Sequence, residues 1–63
     1  MMDNDNWQIS IEQTADFVVR YLGEETVQAI FQKYNVSHLD DLNPCYYSEV
    51  FGELYQYEAD LRD

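Results

Sequence analysis

The chain has 63 residues, of which 13 are acidic and 3 basic, so its net charge at pH 7 is −10. A domain of about 60 residues buries only about 60% of the surface that its unfolded chain exposes, which argues against an enzyme built around a deep pocket. The charge excludes direct binding to DNA, RNA or an anionic membrane, because those ligands require a basic surface.

The N-terminal residues 1–9 are polar and rich in Asp and Asn, and they predict a flexible acidic arm whose end is pinned by Trp7 and Ile9. Ser10 begins a capping pattern, with Gln13 three positions later, which predicts the start of a helix. Apolar residues then recur at helical spacing, at Ile11, Ala15, Val18 and Leu22. Gly23 ends this helix, because glycine adopts the left-handed cap conformation without a steric penalty.

The second predicted helix covers residues 24–35. Glu24 and Glu25 place negative charge in its first turn, near the positive end of the helix dipole. Its apolar stripe consists of Val27, Ile30, Phe31 and Tyr34. Asn35 is the predicted C-terminal cap.

A short turn of helix is predicted over residues 37–42, with its two leucines facing inward. Asn43 and Pro44 then open the last helix, because asparagine is a strong N-cap and proline at the first helical position loses no hydrogen bond. This helix is predicted over residues 44–62.

These elements predict an all-α fold, a small irregular three-helix bundle with a short helical turn between the second and third helices. The helices cover residues 10–23, 24–35 and 44–62, and they form a single domain over residues 10–63. No segment shows the alternation typical of a strand.

The last helix carries an unusual row of polar residues. At about 100° per residue, five positions fall within an arc of about 80° and form what we call the acidic stripe. Its members are Glu49, Glu53, Gln56, Asp60 and Asp63. The stripe contains no Lys or Arg, which indicates either an ordinary solvated face or a surface that binds a cationic partner.

The three basic residues are not expected to neutralise the stripe. Helical spacing predicts that Arg20 pairs with Asp16 and that Arg62 pairs with Glu58. Lys33 lies on another helix.

The apolar half of the last helix is wider than one packing partner requires. We expect Val50, Phe51, Leu54 and Leu61 to contribute to the core. The flanking tyrosines have two interpretations, which are core packing spread over all helices and partly exposed interface anchors. These tyrosines are Tyr46, Tyr55 and Tyr57.

No pattern of residues predicts catalysis. The chain has one histidine, no serine beside an identifiable base and no glycine-rich phosphate loop, so we expect no enzyme, no catalytic residues and no cofactor. His38 and Cys45 match no recognised metal-ligand spacing with their acidic neighbours, so no metal site is predicted. The single cysteine, and a start without the features of a signal peptide, predict a cytoplasmic protein.

In size, charge and lack of catalytic motifs, the chain resembles small acidic proteins of phages and other mobile elements that inhibit defence nucleases by imitating nucleic acid. Many anti-CRISPR and some anti-restriction proteins belong to this class. The resemblance implies a partner with a basic surface, such as a nuclease or another nucleic-acid-binding protein, and inhibition as the outcome of binding. The resemblance identifies no individual functional residues in this chain, because the class has no common fold.

The leading hypothesis is therefore a non-catalytic module that docks a surface of carboxylates and tyrosines on a basic partner protein. The predicted partner-binding residues are Glu49, Glu53, Asp60, Asp63, Tyr46, Tyr55 and Tyr57. The stripe alone holds one charge per roughly 7 Å, whereas a DNA strand presents one phosphate per about 3.4 Å. Mimicry of nucleic acid therefore requires carboxylates from the other helices.

The alternative hypothesis is a structural or regulatory assembly module that forms a homo-oligomer or joins a larger complex through its apolar helix face. Tyr47, Phe51 and Tyr55 represent that face, and the charge then serves solubility. A third hypothesis, an acidic metal-binding protein, is tested by calcium or zinc titration.

Overall fold

The computed structural model describes residues 4–62, and within them it contains helices and turns but no strand. The helices are α1 (Asn4–Leu22), α2 (Glu24–Gln32) and α3 (Tyr47–Arg62), with 3₁₀ turns at Leu39–Asp41 and Pro44–Tyr46. This architecture confirms the predicted all-α three-helix bundle with a helical turn before the last helix. None of the described helices is long and apolar enough to cross a membrane.

The first helix begins at Asn4, six residues before the predicted start at Ser10. The Trp7 ring packs edge-on against Phe51 of α3, with ring centroids 5.7 Å apart. The side chain of Gln8 donates a hydrogen bond to the hydroxyl of Tyr47, also on α3, at 2.9 Å. These contacts with α3 stabilise the helical residues that precede the predicted cap at Ser10. The expected arm is therefore wrong for residues 4–9, and residues 1–3 lie outside the described residues.

The two ends of α2 depend on residues with positive φ. Gly23 separates α1 from α2, as predicted, but its φ of 87° and ψ of 168° lie outside the left-handed cap conformation that was expected. At the other end α2 stops at Gln32, and a turn carries the chain to Asn35 at φ 62°. The Val36 N–H donates to the Phe31 carbonyl at 3.3 Å, which is the long hydrogen bond of a Schellman-type cap. The cap at Asn35 is confirmed, although the regular helix ends three residues before the predicted boundary.

The start of α3 follows the predicted chemistry. The side-chain oxygen of Asn43 accepts a hydrogen bond from the backbone N–H of Cys45 at 3.0 Å. Pro44 occupies the first helical position, and the 3₁₀ turn that it opens leads directly into α3. In the preceding turn, Leu39 and Leu42 are both buried, as expected.

The core forms where the three helices and the turn at Leu39–Asp41 meet. Its buried apolar residues are Ile11, Val18, Val27, Ile30, Phe31, Leu39, Leu42, Tyr47, Val50 and Leu54. Val50 and Leu54 are fully buried as predicted, whereas Phe51 and Leu61 are only half-buried. Leu22, which shares the predicted apolar face of α1, is exposed because α1 ends there.

The directions of the helices follow from their contacts. Gln8 of α1 meets Tyr47 near the start of α3, and Phe17 lies beneath the Arg62 guanidinium at the end of α3. Helices α1 and α3 therefore run in the same direction. The turn after α2 lies against the first half of α3, because Tyr34 contacts Tyr46, in the 3₁₀ turn that leads into α3, and Glu53 within the helix.

Candidate protein-binding surface

One side of α3 combines carboxylates with partly exposed tyrosines beside the C-terminal end of α2. We call it the tyrosine-carboxylate face, and it comprises Tyr46, Glu49, Glu53, Tyr57 and Asp60. Tyr34 connects it to the turn after α2: its ring lies 5.0 Å from that of Tyr46, and its hydroxyl donates to Glu53 Oε2 at 2.8 Å. Because Glu49 and Asp60 are separated from Glu53 by four and seven residues, they share its side of the helix.

Glu53 is held inside this surface by two residues of the turn after α2. The Lys33 ammonium forms an ion pair with Oε1 at 2.5 Å, while the Tyr34 hydroxyl binds Oε2. The side chain of Glu53 is 30% exposed, so its carboxylate braces the two elements rather than facing open water. The expectation that no cation neutralises the stripe is therefore wrong at Glu53. Sequence spacing gives no sign of this pair, because only the packing of α2 on α3 brings Lys33 to it.

The pKa values of the three groups reflect this arrangement. The hydrogen bond from Lys33 lowers the pKa of Glu53, against the opposing effect of burial. The same bond, together with the charge of Glu53, raises the pKa of Lys33. Hydrogen bonding to Glu53, followed by burial and the nearby carboxylate charges, raises the pKa of Tyr34 to about 12. Lys33 and Glu53 therefore stay charged, and Tyr34 stays neutral, across the physiological pH range.

The other acidic residues of the stripe remain at the surface. Glu49 is exposed, and Asp60 is exposed while accepting a hydrogen bond from the Gln56 amide at 3.3 Å. Asp63 lies outside the described residues. With Glu53 engaged, the carboxylates of Glu49 and Asp60 are about 16 Å apart along the helix, at 1.5 Å per residue.

The three predicted anchor tyrosines do not share one surface. Tyr46 and Tyr57, which are 39% and 41% exposed, belong to the tyrosine-carboxylate face. Tyr55 is 54% exposed but stacks on Phe51, with ring centroids 5.8 Å apart, and Phe51 contacts Trp7 of α1. Tyr55 and Tyr57 are two positions apart on α3, which directs their side chains to opposite sides of the helix.

The apolar face expected to mediate assembly is largely used within the fold. Tyr47 is only 3% exposed, and its hydroxyl is bound by Gln8. Phe51 is half-buried against Trp7. Of the three residues named for this face, only Tyr55 remains exposed.

Negative charge covers the surface well beyond α3. Residues 5–62 include nine exposed acidic side chains without an ion-pair partner: Asp5, Glu12, Asp16, Glu24, Glu25, Asp40, Asp41, Glu49 and Asp60. In the same part of the chain, the basic side chains in ion pairs are Lys33, with Glu53, and Arg62, with Glu58 at 2.9 Å. The predicted pair of Asp16 with Arg20 is not formed among the described residues.

The described residues contain no group of three or more His, Cys, Asp and Glu side chains that could hold a metal ion. Cys45 is a free, exposed thiol, and His38 is exposed on the turn before Leu39.

No protein-family model, curated protein or solved structure matches this chain.

Proposed function

We propose that this protein is a non-catalytic binding module that docks its acidic surface on a basic partner protein. The observation that carries the proposal is the excess of exposed carboxylates, which come from all three helices and from the turn at Leu39–Asp41. A surface of one sign attracts and orients a partner of the opposite sign, and this attraction raises the association rate.

The tyrosine-carboxylate face is the proposed centre of this contact. Tyr46 and Tyr57 are rigid, amphipathic side chains of the type enriched at energetically important interface positions. They flank Glu53, whose bonds to Lys33 and Tyr34 hold that side chain against the turn after α2. Such preorganisation lowers the entropy that is lost on binding. Glu49 and Asp60 supply the free charges.

A partner that otherwise binds nucleic acid, including a nuclease, suits this surface because its basic site must attract phosphates. The face on α3 alone does not reproduce a strand of phosphates, since its two free carboxylates are about 16 Å apart and phosphates follow one another at about 3.4 Å. Imitation of nucleic acid would therefore use carboxylates from several elements. The Asp40 and Asp41 side chains, which precede α3 in the chain, are exposed and available for this role.

The compartment is part of the same proposal. We place the protein in the cytoplasm, where an exposed thiol such as Cys45 stays reduced. That compartment also contains the nucleic-acid-binding proteins to which an acidic surface is complementary.

The test combines partner capture with matched charge variants. The protein is immobilised, partners are captured from cell lysate with and without competing DNA, and the affinity of the purified partner is measured at 50 and 500 mM salt. We expect DNA and high salt each to displace the partner, because both compete for or screen its basic surface.

Glu49→Gln combined with Asp60→Asn should weaken the purified complex at least tenfold. The control is Asp5→Asn combined with Glu12→Gln, which removes the same charge from exposed positions on α1. A complex that is insensitive to salt, or that loses equal affinity in both double variants, contradicts docking through the tyrosine-carboxylate face.

A further inference from the structure

A second surface feature lies away from the tyrosine-carboxylate face. It is an open groove of about 310 Å³ between α1, α2 and the segment that leads into the turn at Leu39–Asp41. Small-molecule sites in proteins have volumes of about 300–1,000 Å³, so this groove is at the lower limit. It has room for one large side chain but not for an entire helix.

The floor of the groove is apolar. Val27, Phe31 and Leu39 are buried core residues whose outer surfaces line it, and Ala15 and Val19 of α1 complete it as half-buried residues. An apolar side chain that entered the groove would therefore extend the core of the bundle. Burial of apolar area in this way is favourable.

The rim of the groove is polar and negatively charged. Asp16 of α1 and Glu24 of α2 both line it, neither is in an ion pair, and both are exposed. No Lys or Arg belongs to the lining. A partner segment would therefore meet apolar side chains in the middle of the groove and carboxylates beside them.

We propose that this groove receives one aromatic or large aliphatic side chain from a basic segment of the partner protein, with Lys or Arg residues of that segment placed against Asp16 and Glu24. This inference rests on the proposed function and adds a specific anchor point to it. The acidic surface attracts the partner, and the groove selects partners that carry an apolar residue between basic ones. Aromatic anchors in fully desolvated pockets are a common source of specificity at interfaces.

Charge decides between this occupant and a second copy of the chain. A copy carries a net charge of −10 and would bring further carboxylates towards Asp16 and Glu24. Like charges brought together at an interface oppose association. A basic segment brings the opposite charge, and the volume of the groove limits its insertion to one large side chain.

The test uses three synthetic peptides, capped at both ends, with the sequences KRWRK, KRARK and EDWDE. Each is titrated into the ¹⁵N-labelled protein, and amide chemical shifts are followed by NMR. We expect KRWRK to shift the amides of Val19, Val27 and Leu39 and to bind at least tenfold more tightly than KRARK. EDWDE should cause no shifts in the groove.

Two pairs of variants locate the binding. Ala15→Leu fills the groove and should weaken KRWRK at least tenfold, whereas Ala29→Leu makes the same change at an exposed position of α2 and should not. If Ala15→Leu does not fold, the following pair of charge variants still tests binding in the groove. Asp16→Asn with Glu24→Gln should weaken KRWRK by about fivefold more than the control, Glu12→Gln with Glu25→Gln, which removes equal charge outside the groove.

The outcomes separate the groove from the proposed function. If both basic peptides bind equally, in a salt-dependent manner, and shift the tyrosine-carboxylate face instead, the anchor in the groove is wrong while docking on a basic partner stands. If EDWDE occupies the groove as well as KRWRK does, the charge argument is wrong for the groove. If no basic peptide binds, the anchor in the groove is wrong, while docking on a basic partner protein is decided separately by the capture experiment with salt and DNA. Groove shifts that depend on protein concentration without peptide would identify a second copy as the occupant and overturn the proposal.

Discussion

The bond between Tyr34 and Glu53 gives the most direct test of the structure, and the substitution Tyr34→Phe removes it. The change deletes one hydroxyl and leaves both the ion pair of Lys33 with Glu53 and the ring contact with Tyr46 in place. A hydrogen bond to a charged group contributes about 1.5–3 kcal/mol to stability. Because the Glu53 side chain is 30% exposed, water replaces part of the lost bond, and we expect a loss of about 1–1.5 kcal/mol.

The corresponding change in melting temperature follows from chain length. The entropy of unfolding is about 2.1 cal/mol/K per residue, or about 0.13 kcal/mol/K for 63 residues. Tyr34→Phe should therefore lower Tm by about 8–11 °C. Circular dichroism during heating measures this shift, and urea unfolding followed by Trp7 fluorescence gives the free energy of unfolding. Tyr55→Phe is the matched control, because Tyr55 is exposed. The free energy of unfolding of this variant should stay within about 0.5 kcal/mol of that of the parent protein.

The same variant has a defined dependence on pH. The pKa of Tyr34 in the folded protein is raised from 10.0 to about 12, so its contribution to stability is complete below pH 10 and is lost as the pH rises towards 12. The difference between the parent protein and Tyr34→Phe should therefore shrink across this interval. Equal stability of the two proteins at pH 7, or a difference that does not change between pH 10 and 12, would refute the assigned bond.

Three further predictions concern other parts of the fold. The pKa of Glu53 is lowered, so the stability that its carboxylate contributes is present above pH 4.5 and is lost as the pH falls through the folded-state pKa. In urea titrations, Glu53→Gln should therefore lose less stability than the parent protein on acidification. An equal loss would contradict the pair with Lys33. Asn35 has φ 62°, so Asn35→Ala should cost about 1 kcal/mol while Asn35→Gly is neutral or stabilising; equal effects in thermal melts would argue against the left-handed cap. Trp7→Ala should remove about 2 kcal/mol and reduce helical circular dichroism, because the contact with Phe51 supports the start of α1; unchanged helicity would contradict a helix that begins at Asn4.

The limits of sequence-based prediction show clearly in the first helix. The pattern at Ser10 and Gln13 is a genuine capping signature, yet the helix passes through it because Trp7 and Gln8 gain contacts with α3. A capping box contributes on the order of 1 kcal/mol, which a half-buried tryptophan exceeds. Local signals therefore predicted that a helix exists here but placed its start incorrectly.

On the candidate surface, too, helical periodicity accounts for some features, whereas others depend on tertiary contacts. Helical periodicity placed Glu49, Glu53 and Asp60 in one stripe and Tyr46 and Tyr57 at the edge of the apolar half, since residues three and four apart share a side of a helix. It could not reveal that Lys33 would neutralise Glu53, because these residues are 20 positions apart and meet only through the packing of two elements. It also left open whether the flanking tyrosines pack in the core, and Tyr46, Tyr55 and Tyr57 are all exposed.

The sequence by itself determined the helical class, the break between α1 and α2 at Gly23, the caps at Asn35 and Asn43, and the net charge of −10, because each depends on composition or on residues near one another in the chain. Tertiary structure alone decided which tyrosines reach the surface, which carboxylate of the stripe is paired, and where α1 and α2 enclose an apolar groove with an acidic rim. The reason is physical: local signals fix backbone conformation, whereas exposure, ion pairing and the shape of a groove depend on residues that folding brings together from distant parts of the chain.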